Sequence, residues 1–368
     1  MNNNLYLEFH LLQTVPPSCL NRDDTGSPKT ALYGGTLRAR VSSQAWKKAM
    51  RERFAQEFGK ENMGYRTRNI RNLIQKELEK INSELEEKKR EEIIDKILEI
   101  EKLNKNVLFF VSAKQIENVA KIAYEYYQEV DSLNKDEKKE KEKELKKQLD
   151  AAMCETPSVD IMLFGRMAAD NTNLNFDAAA QVAHAISTHT VSNEYDYFTA
   201  CDDAKSEDSN GAGHLGTIEF NSSTLYRYAT VNLGELFYKD GLSEEEVVDI
   251  VKGFANSFVK SMPTGKQNTF ANRTLPYFIY AAVRKDQPIN LVGAFEKPIM
   301  RSEAGFANDS EKVFIKEAKT VYENYGVEPE YAFVVGANES YDIGKKVKYN
   351  ELVEQLMTVV SGELRKED

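Results

Sequence analysis

Two periodicities divide this chain before any single residue stands out. In LYLEFHLL, Leu5, Leu7, Phe9 and Leu11 share one face, the two-residue period of a strand. The following QTVPPSCLNRDDTGSPKT carries three prolines, a glycine and several Asn, Asp and Ser, and is predicted as a loop. LRARV, with Leu37, Ala39 and Val41 on one face, predicts a second short strand ending at Ser42 and Ser43, either of which can cap a helix. The helix predicted from about Ser43 to Phe58 has two unlike faces. Ala45, Trp46, Ala49, Met50 and Phe54 share a broad arc that packs, whereas Gln44, Lys47, Lys48 and Arg51 follow i, i+3, i+4, i+7 and form one polar stripe.

From Asn69 to Leu149 helical spacing takes over: Ile74, Leu78, Ile81 and Leu85, then Ile94, Ile97 and Leu98. A capping-box pattern, Ser112 with Gln115, opens a helix carrying Ile116, Val119, Ala120 and Ala123. Residues 59–157 therefore read as an all-helical insertion. A further helix is expected from Asn175 through FDAAAQVAHAI. Ser192 to Ser223 is polar and Gly-rich, which predicts a long loop or projecting hairpin. YRYATVNL reads as a strand, Ser243–Glu246 as a second capping box opening a helix, LPYFIYAAV and YAFVVG as strands, and YNELVEQLMTVV as a closing helix. With the insertions set aside, the order strand, helix, strand, helix, strand predicts an α+β fold, a small antiparallel sheet backed by helices of the ferredoxin or RRM kind. No repeat of 20 to 50 residues is visible.

Composition narrows the class. The 368 residues are 41% hydrophobic and 10% aromatic, enough for a substantial core. Cys19, Cys154 and Cys201 are odd in number and far apart, which argues against a disulfide framework and for a reducing compartment. MNNNLYLEF lacks the basic and apolar regions of a signal peptide, and no apolar run reaches a membrane span, so a cytoplasmic protein is expected. The formal net charge is -10, yet Arg22 to Arg53 holds eight basic residues against three acidic ones. Local patches, not the total, set the contact potential.

Most candidate chemistry falls to simpler readings. GAGHLG, Gly211 to Gly216, matches the dinucleotide fingerprint in letters, but that mechanism needs a strand before it and a helix after it, and neither is expected here. His184 and His189 in AHAISTH lack zinc-protease spacing, no cysteine pair has zinc spacing, and no nucleophile and base stand out, so no cofactor, metal or catalytic group is expected. Seven lysines against five acids at 135–147 describe, by default, a solvated helix face. The stripe of Gln44, Lys47, Lys48 and Arg51, with Arg22 and Lys29 in the preceding loop and Lys266 in PTGKQNTFANR, carries one sign of charge. It points to a polyanion binder, with cations on phosphates and Ser and Gln donors fixing register without reading bases.

Seven segments in order, SCLNRDD, YGGTLRARVSSQAWKKAMR, SVDIMLFGRM, AHAISTHTVSNEYDYFTACDD, GAGHLGTIEF, LYRYATVNL and PTGKQNTFA, resemble the backbone (CasC-type RAMP) subunit of the type I-E CRISPR Cascade complex. The resemblance implies an RRM-like palm (1–58, a guide-contact segment 158–192, and 225–368), helical fingers (59–157) and a hairpin thumb (193–224). It implies copies assembled along a CRISPR guide RNA, with other Cascade subunits and target DNA as partners. Matched residue by residue, Arg22, Lys29, Ser42, Gln44, Lys47, Lys48, Arg51 and Lys266 would contact guide phosphates. Arg166 and Met167 would sit at the guide, Tyr197, Phe198, Thr199 and Leu215 would belong to the thumb, and Lys138 and Lys139 would touch target DNA. An alternative within the same fold is a metal-independent endoribonuclease that processes the guide precursor with a histidine such as His10 as acid or base.

Overall fold

The computed structural model describes residues 4–103, 108–130, 134–200 and 214–366. In chain order the elements begin with β1 (Tyr6–Ser18), β2 (Thr30–Tyr33), β3 (Thr36–Val41) and α1 (Ser43–Glu57). A helical stretch follows, with β4 (Tyr65–Thr67), α2 (Ile70–Ile81), α3 (Glu87–Ile100), β5 (Phe109–Val111), α4 (Ala113–Val130), α5 (Lys135–Cys154) and α6 (Val159–Phe164). The chain then returns through β6 (Ala180–Val182), β7 (Ala185–Ser187), β8 (Glu194–Ala200) and β9 (His214–Asn232). It closes with α7 (Glu244–Lys260), α8 (Gln267–Phe270), β10 (Phe278–Arg284), α9 (Ala307–Tyr325), β11 (Tyr331–Val335), β12 (Lys345–Lys346) and α10 (Tyr349–Arg365). Two compact units result, one of residues 1–53 with 181–368 and one of residues 54–180.

The first unit is built on one mixed sheet whose main path runs β12-β11-β10-β1-β9-β7-β3-β2. β1 lies between β9 and β10 and is antiparallel to both, with Phe9 opposite Ala229 on one side and Ala281 on the other. Within it β1, α1, β7, β9, α7 and β10 follow one another, and their strands lie in the spatial order β10-β1-β9-β7.

The β1 alternation is real, but both of its faces are buried. Leu7, Phe9 and Leu11 are 0% exposed, and Phe9 meets the rings of Phe254 and Phe258 on α7. Glu8, His10 and Leu12 point the other way and are also buried, His10 among Tyr228, Tyr280 and Phe314. Phe314, Ala318 and Tyr322 of α9 cover that second face. α9 thus turns the face opposite Leu7, Phe9 and Leu11 into a second packed face.

Two expectations fail locally. FDAAAQVAHAI is not a helix: Ala180–Val182 and Ala185–Ser187 are strands, and β7 pairs with β3 through Arg40↔Ile186 and Val41↔Ala185. Alanine suits either structure, and sheet pairing decides here. The 54–180 unit is mostly helical but includes the antiparallel pair β4–β5. Its core joins Ile74, Leu78, Ile94, Ile97, Ile116 and Val119, as their helical spacing predicted, and adds Leu145 and Leu149 from the charged helix α5. The expected capping boxes form at Ser112 with Gln115 and at Ser243 with Glu246.

Candidate nucleic-acid interface

The polar stripe of α1 is fixed by how the helix starts. Ser42 is its cap: the Ala45 N–H donates to Ser42 Oγ at 3.3 Å. The Ser42 N–H donates to Asn21 Oδ1 at 2.9 Å, tying the helix start to the loop after β1, a loop that begins past Ser18 because Gln13–Ser18, expected as loop, continue the strand. Trp46, Ala49, Met50 and Phe54 are buried, as their arc predicted, whereas Gln44 and Lys48 are exposed and Lys47 and Arg51 half-buried. Lys48 stands 3.8 Å from Glu52, an exposed i, i+4 pair of little worth in water. Ser42 itself is buried, with its hydroxyl committed to the cap.

A groove runs beside this helix. A cavity of about 300 Å³ is lined by Leu20 and Arg22 from the loop, Ala45, Lys48, Ala49 and Glu52 from α1, and Pro263 to Lys266. A more open recess of about 570 Å³ continues along Leu20 to Gly26 and Gly265. Gly265 explains why PTGK carries a glycine. A Cβ there would lie 2.1 Å from the Leu20 carbonyl oxygen and 2.7 Å from that of Cys19, so only glycine lets the two loops touch. Lys266 follows in the left-handed region (φ 50°) and begins α8.

The cavity beside α1 is mainly positive, with Arg22, Lys48 and Lys266 against Glu52, whereas the open recess also carries Asp23 and Asp24. Asp23 is occupied within its own loop: Oδ1 accepts from Thr25 Oγ1 at 2.7 Å and from the Thr25 and Ser27 N–H groups at 3.0 Å each. The Thr25 bond comes first among the causes that hold its carboxyl below the usual range. Burial raises the Cys19 thiol pKa, and Arg22 and Lys266, both close enough to be felt, pull it down. Among the described residues neither Arg22 nor Lys266 is held in an ion pair. Three cations from separate segments, Arg22, Lys48 and Lys266, thus border one groove against Glu52.

Other predicted residues are dispersed. β8 pairs with the first part of β9 from Glu194↔Phe220 to Ala200↔His214, forming the expected hairpin, every residue of β8 being exposed. Strand alternation puts Tyr197 and Thr199 on one face with Leu215, and Phe198 on the other, where its ring lies over Gly216. Tyr197 (64% exposed) and Leu215 (55%) are open to solvent. Residues 201–213, which hold Cys201, the Asp202–Asp203 pair and the first three residues of GAGHLG, lie outside the described residues.

Arg166 and Met167 part company. Met167 is 83% exposed, whereas Arg166 is buried and donates to Leu174 O (2.6 Å), Met153 O (2.7 Å), Gln115 Oε1 (3.2 Å) and Phe110 O (3.3 Å). Its guanidinium is a cross-link of the 54–180 unit, with no N–H pair facing solvent for a phosphate. On α5, Lys139 is exposed and Lys138 half-buried, while Lys141 is bound to Glu129 and Glu144. His10 is fully buried, its Nδ1 2.8 Å from the Tyr226 hydroxyl, and burial followed by Arg284 lowers its pKa to about 3. His189 stacks on Phe306 at 3.6 Å and accepts from the Thr224 N–H. Among the described residues no group of three His, Cys, Asp or Glu is placed to hold a metal ion.

The family model for CT1975-like protein matches residues 7–359, almost the whole chain. The chain belongs to the CT1975-like protein family. Two solved structures share its fold. A chain of a "CRISPR RNA-guided surveillance complex, pre-nicking" superposes with a TM-score of 0.80 at 29% identity, covering 96% of this CT1975-like protein and 100% of that chain. A chain of a "CRISPR RNA-guided surveillance complex" gives 0.64 at 26% identity, covering 96% and 99%. No curated protein matches the sequence.

Proposed function

We propose that this CT1975-like protein is a non-catalytic backbone subunit of a CRISPR surveillance complex, of the type I-E Cascade kind, which binds guide RNA through its phosphates. The observation that carries this is the groove where Arg22, Lys48 and Lys266 converge beside the capped start of α1. Cations without base-reading geometry grip a strand irrespective of sequence, as a guide scaffold must. The strand order β10-β1-β9-β7, with α1 and α7 as its two crossovers, supports the ferredoxin or RRM-like palm reading. The exposed β8–β9 hairpin suits a surface that meets a neighbouring copy and the RNA, and exposed Lys139 suits target DNA paired to the guide. A cytoplasmic location accords with such a complex, and no described helix is long and apolar enough to cross a membrane.

The endoribonuclease alternative has less support. His10, its named acid or base, is walled in by Tyr226, Tyr228, Tyr280 and Phe314 and is 0% exposed to solvent. Purification from cells with and without a CRISPR array tests the proposal. A uniform RNA that copurifies only with the array is expected. Protein that emerges free of RNA, or that cleaves precursor RNA at a single site, refutes it.

A further inference from the structure

Beside the groove, across the loop of residues 19–29, Lys29, which the resemblance sets on a guide phosphate, stands next to Arg40 and His184, and these two have no place in the reading so far. Leu20 and Asn21 line both the groove and a small cleft of about 20 Å³, in which apolar residues such as Val15 and Val41 alternate with Ser18, Lys29, Arg40 and Asn221. Sheet register gathers the charges. The Arg40 N–H donates to Lys29 O at 2.9 Å, and on its other side Arg40 pairs with Ile186, two residues beyond His184.

Arg40 Nη1 lies 3.2 Å from His184 Nδ1. A guanidinium can only donate, so Nδ1 accepts and the neutral ring carries its proton on Nε2. Arg40 Nε donates to Thr30 O at 3.0 Å, which holds the guanidinium at the strand. The charged groups that bear on the ring are Arg40 and Lys29, and no carboxylate among the described residues offsets them. Burial first, then these two cations, keep the His184 imidazole below its usual pKa. Protonating Nδ1 would set N–H against N–H unless an anion came between them.

We propose that Lys29, Arg40 and His184 form a second phosphate subsite, which takes a phosphodiester of bound single-stranded RNA between the guanidinium and the imidazolium. This inference rests on the RNA-binding reading and adds a regulatory property to it: binding at the subsite draws one proton onto His184. Because that proton is taken up as the phosphate binds, the subsite makes the grip on RNA pH-sensitive.

The test is RNA affinity against pH with the full chain and a single-stranded RNA. Wild type should bind roughly three- to tenfold more tightly at pH 5.5 than at pH 7.5, one coupled proton being worth at most about tenfold per pH unit. His184→Gln, at an exposed position, should flatten that profile and leave affinity at pH 7.5 within about twofold. Lys29→Gln should reduce the slope of log K against log salt by about 0.7. If wild type binds but His184→Gln keeps the wild-type pH profile, this inference fails and the RNA reading stands. If wild type binds no RNA at any pH, both fail.

Discussion

Neutralising the groove's two cations that lack ion pairs, Arg22→Gln with Lys266→Gln, separates specific phosphate contacts from general charge. The two residues come from different loops held together by the Gly265 approach to Leu20, and both border the same cavity. Each phosphate contact to a single strand contributes about 0.7 to the slope of log K against log salt. Two lost contacts should therefore flatten the slope by about 1.4. Between 50 and 200 mM salt this makes wild type lose about sevenfold more affinity than the double variant, so their curves converge as salt rises. The control Lys143→Gln with Lys147→Gln removes the same charge from exposed positions on α5 and should leave the slope unchanged. Fluorescence anisotropy with labelled RNA reads both quantities. The thermal midpoint should move by no more than about 2 °C, because neither side chain is buried or ion-paired. Equal flattening by the two doubles would mean that only diffuse charge is at work, and the groove would not be the site.

Two other substitutions test the assignments that the fold makes. Arg166→Met should destabilise the 54–180 unit by about 2–5 kcal/mol, because it strips hydrogen bonds from the buried carbonyls of Leu174, Met153 and Phe110, with hydrogen exchange in α4 and α5 as the readout. Loss of RNA affinity without loss of exchange protection would return Arg166 to the guide. Glu8 is a pH-sensitive group of the sheet unit: burial raises its pKa from 4.5 to about 7, against bonds from Tyr228 and the Ile289 N–H and the attraction of Arg284. The folded state then binds the proton more tightly than the unfolded one, so stability is intact below about pH 4.5 and falls as pH rises towards 7. At about 1.4 kcal/mol per unit, wild type should lose on the order of 3 kcal/mol relative to Glu8→Gln across that window in denaturant titrations. A constant difference between the two would contradict it.

What could be read from sequence depended on the range of the interaction. The two faces of α1 were legible because helical period is local, and Trp46, Ala49, Met50 and Phe54 are buried as their spacing required. A long loop or hairpin was legible because Ser192 to Ser223 lacks a helical period, and antiparallel pairing of Glu194–Ala200 with β9 decides for the hairpin. The second buried face of β1 was not, since Glu8 and His10 look like solvent positions until α9 covers them. α9 itself was missed because its apolar positions Phe314, Ala318 and Tyr322 are diluted by Glu, Lys and Asn. Nor was the contact of Gly265 with Leu20, which joins distant parts of the chain by backbone approach alone.

Charge was the most misleading signal, because arginine has two uses here. Arg38, counted among the eight basic residues of the opening cluster, is 0% exposed and donates to Ser187 O, Phe295 O and Glu296 O. Arg227 lies 3.6 Å from the Trp46 ring and 4.7 Å from that of Phe258, donates to the Phe258 carbonyl at the end of α7, and has its pKa lowered by burial to about 9. Arg166 cross-links the 54–180 unit in the same way. These guanidiniums satisfy main-chain carbonyls and stack on rings, roles for which a planar fork of five donors suits arginine better than lysine. Two of the sheet unit's buried arginines, Arg227 and Arg38, also position cations nearer the surface. Arg227 supports Trp46 directly beneath the Lys48 face of α1, and Arg38 anchors the strand that presents Arg40 two residues later. Counting basic residues therefore overstates the surface charge of the opening segment, whereas Lys266, more than two hundred residues away in sequence, reaches the same groove. The surface that meets a polyanion is chosen by which cations the fold leaves uncommitted.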